Sequence, residues 1–172
     1  MLRQSRMHSP LGEMLLRAEG DALTGVYFVG QRHYPNDILG DIDDAATGDA
    51  PLLAEAGAQL DAYFAGRLER FSLPLAPSGS DFQQRVWQAL ATIPYGERAT
   101  YGELAHRLGL APGAARAVGT AVGRNPLTIV VPCHRVVGSK GALTGYAGGL
   151  ERKRALLDLE AGQRVEPGVA QA

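Results

Sequence analysis

Thr100–Gly123, TYGELAHRLGLAPGAARAVGTAVG, reads as two short helices with a turn between them. Thr100 followed by Glu103 makes a capping box, in which hydroxyl and carboxylate satisfy backbone N–H groups that an opening helix leaves unpaired. Tyr101, Leu104, Ala105 and Leu108 fall on one face, and Gly109 stops the helix. After Pro112 a second helix is predicted from about Ala114 to Gly123, burying Val118, Ala121 and Val122. Such a pair is either two ordinary core helices or a helix-turn-helix. The other face of the second helix bears on the choice. It carries Ala115, Arg116, Gly119, Thr120 and Gly123, where a solvated face would carry Glu, Lys and Gln. Glycine inside a helix costs about 1 kcal/mol relative to alanine, so two of them imply that something large approaches the backbone. A nearly flat surface with one arginine lacks the Arg, Asn and Gln forks that read base edges in the major groove. It suits a minor groove met through shape and phosphates, and Arg116 is long enough to enter a vacated base position. Chemistry on a base inside a duplex requires such extrusion.

Upstream, Ser80 with Gln83 is a second capping box, opening a helix whose stripe is Phe82, Val86, Ala89, Leu90 and Ile93 and which Pro94-Tyr95-Gly96 ends. Leu73 to Gly79, with Pro74 and Pro77, is predicted as a linker. Pro51 opens a helix in which Leu53, Ala56, Leu60, Tyr63 and Phe64 keep helical spacing up to Gly66. Asn36 to Ala50, rich in Asp and Gly, is predicted as a loop. Gly12–Ala18 and Leu23–Val29, separated by Glu19-Gly20-Asp21, read as a hairpin. Downstream, the β-branched run Thr128 to Val131 is expected to form a strand leading through Pro132 to Cys133, and a last helix covers about Leu150 to Glu160. The expected fold is α/β (α+β): an N-terminal domain with a small antiparallel sheet over 1–75, a linker over 76–79, and a mostly helical C-terminal domain over 80–172 containing the helix-turn-helix.

Composition narrows the function classes. The chain has 172 residues, 45% apolar and 20% charged, the balance of an ordinary globular protein. No apolar run approaches the roughly 20 residues of a membrane helix, and the arginines of Met1–Pro10 are not followed by the apolar stretch of a signal peptide. A cytoplasmic protein with no membrane partner is expected. The single cysteine excludes an internal disulfide and a multi-thiolate zinc site, and His8, His33, His106 and His134 have no metal-ligand spacing, so no metal is expected. The net charge of −1 hides an asymmetry. Arg85 to Arg154 holds ten basic residues against three acidic ones, a net of +7, which leaves −8 on the remainder. Segregated positive charge is what a polyanion-binding face needs, although arginines on solvated helices would look the same.

A lone cysteine is more often a small buried hydrophobe than a nucleophile. Cys133, however, is followed by His134 and Arg135. A neighbouring imidazole can take the thiol proton, directly or through water, to give the reactive thiolate. The run Pro132-Cys133-His134-Arg135-Val136 closely resembles the signature of the O6-alkylguanine-DNA alkyltransferases. Phe82-Gln83-Gln84, Ile93-Pro94-Tyr95-Gly96, Ala114 to Gly119, Asn125-Pro126, Gly145 to Gly149 and Leu156 to Glu160 extend the resemblance in order, densely from about Ser80 to Gly162.

The resemblance implies repair of alkylated DNA by irreversible, stoichiometric transfer of an alkyl group from O6-alkylguanine, and O4-alkylthymine, to Cys133. The base would be flipped through the minor groove. His134 resembles the base that activates the cysteine, Glu160 the carboxylate that orients the histidine, and Asn125 the brace between recognition helix and cysteine. Tyr101 resembles the residue that helps rotate the nucleotide and donates to the leaving guanine. Val122, Tyr146, Ala147, Gly148 and Lys153 would form the base pocket. Arg116 would replace the flipped base, with Ala115, Ala117, Gly119 and Thr120 against the DNA. No cofactor is implied, the partners being double- and single-stranded alkylated DNA, with a monomer in solution that is open to protein–protein contacts when assembled on DNA. The competing readings are an inactive lesion binder, which Cys133 opposes, a cysteine hydrolase, which strand alternation of adjacent residues opposes, and a sequence-reading transcription factor, which the Ala/Gly face opposes.

Overall fold

Side-chain alternation builds the first sheet. The computed structural model describes residues 2–36 and 51–162. Strand β2 (Gly12–Glu19) and strand β3 (Ala22–Phe28) pair antiparallel, with Glu19 opposite Ala22, so that Gly20 and Asp21 form a two-residue turn. Gly20 has φ 56, a backbone conformation that such tight hairpins require. A third strand, β1 (Leu2–Ser9), pairs with β2 from Leu2↔Glu19 to Ser9↔Gly12. Sequence patterning gave no sign of it. As an edge strand it buries only Ser5 and carries polar side chains along most of its length.

Helix α1 (Pro51–Phe64) lies on this sheet through Leu53, Ala56, Leu60, Tyr63 and Phe64, the stripe read from the sequence. The loop expected over Asn36–Ala50 lies, beyond Asn36, outside the described residues. The segment read as a linker is partly tied down, since Leu23 donates to the Pro74 carbonyl and Ala76 to the Leu23 carbonyl, setting Leu75 beside β3.

Helix α2 (Asp81–Leu90) and helix α3 (Tyr101–Arg107) each open with the reciprocal capping box that their sequences specify. Between them, strand β4 (Ala99–Thr100) pairs in parallel with strand β5 (Val136–Val137). A 3-10 turn at Pro112–Ala114 leads into helix α4 (Ala115–Gly123), and helix α5 (Leu150–Glu160) ends the described chain. Trp87, the only tryptophan, packs behind α4 with its indole N–H on the Ala121 carbonyl at 2.9 Å. One continuous buried cluster, from Leu11 to Leu159, joins the sheet, α1, α2, α4 and α5. Among the described residues no helix is long and apolar enough to cross a membrane.

The strand expected at Thr128–Val131 is not formed. The chain turns there, with Ile129 at φ 72 and Val131 donating back to the Leu127 carbonyl at 2.8 Å. A β-branched residue in that region is strained and persists only where its surroundings fix it. Asn125 supplies that fixing: its side-chain amide donates to the Val131 carbonyl at 2.8 Å, and its oxygen accepts from Leu127 N at 3.0 Å. Tertiary bonding has overridden β propensity.

Candidate active site

Cys133, His134 and Arg135 form a single 3-10 turn rather than the end of a strand. The turn sits between the Asn125 brace and β5, and β5 in turn lies against the start of α3. All three side chains are therefore buried, and the alternation argument against cooperation between Cys133 and His134 no longer applies.

Beneath the turn lies Glu160, from the last residue of α5. Its Oε2 accepts from His134 Nε2 at 2.6 Å, from the Tyr63 hydroxyl at 2.6 Å and from Arg135 Nη2 at 3.0 Å. Its Oε1 accepts from Arg135 Nε at 2.8 Å and from the Gly96 amide at 3.2 Å. Burial by itself would push the Glu160 carboxyl up. The hydrogen bonds from His134, Arg135 and Tyr63 outweigh it and hold the group well below the usual carboxylate range. His134 is fully buried, and this desolvation lowers its pKa against the opposing pull of Glu160, so the ring is neutral at neutral pH. With Nε2–H given to Glu160, Nδ1 keeps its lone pair, and it makes no hydrogen bond among the described residues.

Burial also pushes the Cys133 thiol up, against a hydrogen bond from Asn125 and the charge of Lys153. Lys153 is 1% exposed, and its ammonium is lowered by desolvation to about 8, partly restored by Cys133. It donates to the Thr144 carbonyl at 2.6 Å, fixing the loop before Tyr146.

A cleft of about 640 Å³ opens beside α4. Of the residues singled out from sequence, Tyr101, Ala115, Arg116, Gly119, Thr120, Val122, Tyr146 and Ala147 line it. Cys133, His134, Glu160, Asn125, Gly148 and Lys153 are buried outside its lining, while Ala117 is exposed away from it. The Gly119 Cα faces the Tyr101 ring, so that an added Cβ would touch it at 3.5 Å. At Gly148 a Cβ would meet the Tyr146 ring at 2.7 Å, so only glycine lets that ring approach the backbone so closely. The Tyr146 hydroxyl is buried and unpartnered among the described residues.

Two residues of this site were not singled out. Arg135 stood in the motif without a role, and Tyr63 counted only as part of an apolar stripe. A tyrosine beside Phe64 at a core position was the available signal, because a buried phenol needs a hydrogen-bond partner.

The comparisons agree along the whole described chain. Residues 2–77 match the family model described as 6-O-methylguanine DNA methyltransferase, ribonuclease-like domain, and residues 81–162 match its DNA binding domain. A methylated-DNA–protein-cysteine methyltransferase of Mycobacterium leprae is 51% identical over 160 residues, 93% of each chain. One from Methanosarcina acetivorans is 48% identical over 88% of this chain and 94% of its own. The structure of Mycobacterium tuberculosis OGT in complex with DNA superposes with a TM-score of 0.85 at 46% identity, covering 99% of both chains.

Proposed function

The chain belongs to the 6-O-methylguanine DNA methyltransferase family, a family of DNA-repair methyltransferases, and on that premise we propose that Cys133 is the alkyl acceptor. The observation that carries the assignment is the placement of His134, whose Nε2 lies 2.6 Å from Glu160 Oε2 while Nδ1, without a hydrogen-bond partner among the described residues, is the nitrogen left to take a proton. The Cys133 thiol proton passes to Nδ1, directly or through a water. The sulfur then attacks the alkyl carbon in line, forming a carbon–sulfur bond as the carbon–oxygen bond breaks. The electron pair leaves on guanine, which takes a proton from the Tyr101 hydroxyl, and the proton left on His134 returns to Tyr101 through solvent. Asn125 and the Lys153 charge favour the thiolate against burial. The product thioether has no competent leaving group, so each molecule acts once.

Arg116 takes the place of the extruded base. Ala115, Ala117, Gly119 and Thr120 let α4, acting as the recognition helix of a helix-turn-helix, lie against the minor groove. Val122, Tyr146, Ala147 and Gly148 receive the base, and Lys153 holds their loop. O4-alkylthymine is a second substrate, and single-stranded alkylated DNA also binds. The protein works in the cytoplasm as a monomer, open to protein–protein contacts when assembled on DNA. Residues 1–75 and 80–172 act as two units joined at 76–79.

Incubation with duplex DNA carrying radiolabelled O6-methylguanine tests the assignment. Label should move covalently to protein and plateau at one equivalent, and Cys133→Ser should abolish transfer yet still bind duplex. Turnover beyond one equivalent, as a cysteine hydrolase would give, or label on the serine variant, overturns it.

A further inference from the structure

One wall of the cleft beside α4 comes from the N-terminal half: Arg32 and His33, on the turn after β3. This turn is firmly held. Gln31 is buried, and its side-chain oxygen accepts from Phe28 N at 2.9 Å. Tyr34 N donates to the Gln31 carbonyl, and Arg32 N donates at 2.9 Å to the carbonyl of Ala147, itself in the cleft wall. His33 adopts φ 61, a left-handed conformation that side chains rarely take without support from their surroundings.

Positive charge converges there. The His33 pKa is lowered by burial, then by the charges of Arg124 and Arg32, and Arg124 lines the same cleft. Among the described residues no acidic side chain lines the cleft, and neither arginine has a carboxylate partner. Cationic side chains brought to one cleft by a held turn and by the end of α4, with no described carboxylate among them, favour an anion. Arg116 shares the cleft, so a strand whose nucleotide enters there carries its phosphates along the rim.

We propose that the Arg32–His33 turn, with Arg124, is a phosphate-binding subsite that grips the backbone phosphodiester beside the extruded nucleotide, so that the N-terminal half takes part in substrate binding. The proposal rests on the DNA-repair reading above.

The test is the salt dependence of binding, by fluorescence anisotropy, of a labelled duplex containing O6-methylguanine to wild type, R32A, R32K and R32A/H33A. Arg32 is exposed and its turn is held by backbone and Gln31, so the variants fold. Each lost phosphate contact lowers the slope of log K against log salt by about 0.9. A fourfold rise in salt should therefore weaken R32A about 3.5-fold less than wild type, with R32K close to wild type. Methyl transfer by R32A should fall more on duplex than on free O6-benzylguanine. An R32A slope equal to wild type, while wild type still transfers methyl, overturns this inference alone. A wild type that neither binds duplex nor transfers methyl overturns both readings. Inorganic phosphate titrated at constant ionic strength should displace duplex no better than chloride. Saturable displacement would assign the subsite to a free anion and overturn the DNA assignment.

Discussion

The Glu160 hub and the α4 cleft both draw residues from the two halves of the chain, and they are built on opposite rules. At the hub, two carboxylate oxygens accept five hydrogen bonds from His134, Arg135, Tyr63 and Gly96, and the carboxylate side chain is 1% exposed. The cleft is open, walled by small residues, arginines and two tyrosine rings, and among the described residues the Tyr146 hydroxyl has no partner. A buried carboxylate persists only when its oxygens are satisfied, as those of Glu160 are, whereas a site that must admit a large ligand is left incomplete until the ligand arrives. Rigid chemistry and open recognition are thus assigned to different residues.

Removing the centre of the hub should have the largest effect. Glu160→Ala leaves the Arg135 charge, the His134 N–H and the Tyr63 hydroxyl buried and unpaired, at a cost of about 3–5 kcal/mol. For a domain of this size that corresponds to a fall in Tm of roughly 10 °C or more. A loss below about 1 kcal/mol in a denaturant melt would show that the hub tolerates a hole, and the contrast with the cleft would collapse.

Arg116→Ala tests the other side. The cleft substitution should leave stability near wild type but slow transfer from duplex about 100-fold more than from the free base, since only the duplex must meet an unstacking cost of a few kcal/mol. Equal slowing of both substrates in single-turnover kinetics would assign Arg116 to something other than filling the stack.

Alkylation of Cys133 joins the two regions, because the thiol is buried between them. Adding a methyl group overpacks the site by about 1–3 kcal/mol. Thermal melts before and after reaction should show a lower midpoint, with a larger drop for benzyl than for methyl. An unchanged midpoint would mean that the pocket has spare room.

Tyr63→Phe removes one of five hydrogen bonds to the carboxylate and should cost about 1.5 kcal/mol, the low end for a bond to a charged group. Its sharper signature is in pH. The Glu160 pKa is lower folded than unfolded, so its stabilisation is complete above the unfolded value of about 4.3 and is lost as pH falls toward the folded one. His134, also lowered, has the same sign and begins to cost stability below about 6.5. Without the Tyr63 hydroxyl the folded Glu160 pKa rises toward the unfolded value. Stability of the variant should then fall less steeply between neutral and acidic pH than that of wild type. Parallel curves would show that the phenol contributes packing alone.

The hub and the cleft also differ in how far they were legible in the sequence. Helix starts at Ser80 and Thr100 were readable because a capping box is a contract between residues three apart, and α4's small-residue face was readable for the same local reason. Cys133 stood out through the histidine and arginine that follow it, whereas the role of Glu160 was visible only through family resemblance. The Tyr63–Glu160 bond joins residues 97 apart, and the β4–β5 pairing is two residues long; neither leaves a periodic trace. The turn at Ile129 was misread as a strand because its β-branched composition favours extension, while the Asn125 bonds that bend it are tertiary. β1 was missed because an edge strand needs no apolar alternation.

Trp87 gives the molecule an optical gauge of its own. The single indole is 3% exposed and hydrogen-bonded to the backbone on the inner side of α4, so its emission reports strain or displacement of that helix without any dye. The alkyl group arrives at a different place, the Cys133 turn. A rapid-mixing fluorescence trace with alkylated duplex should therefore resolve an early change as α4 docks, and Cys133→Ser should keep that early change while losing every later one.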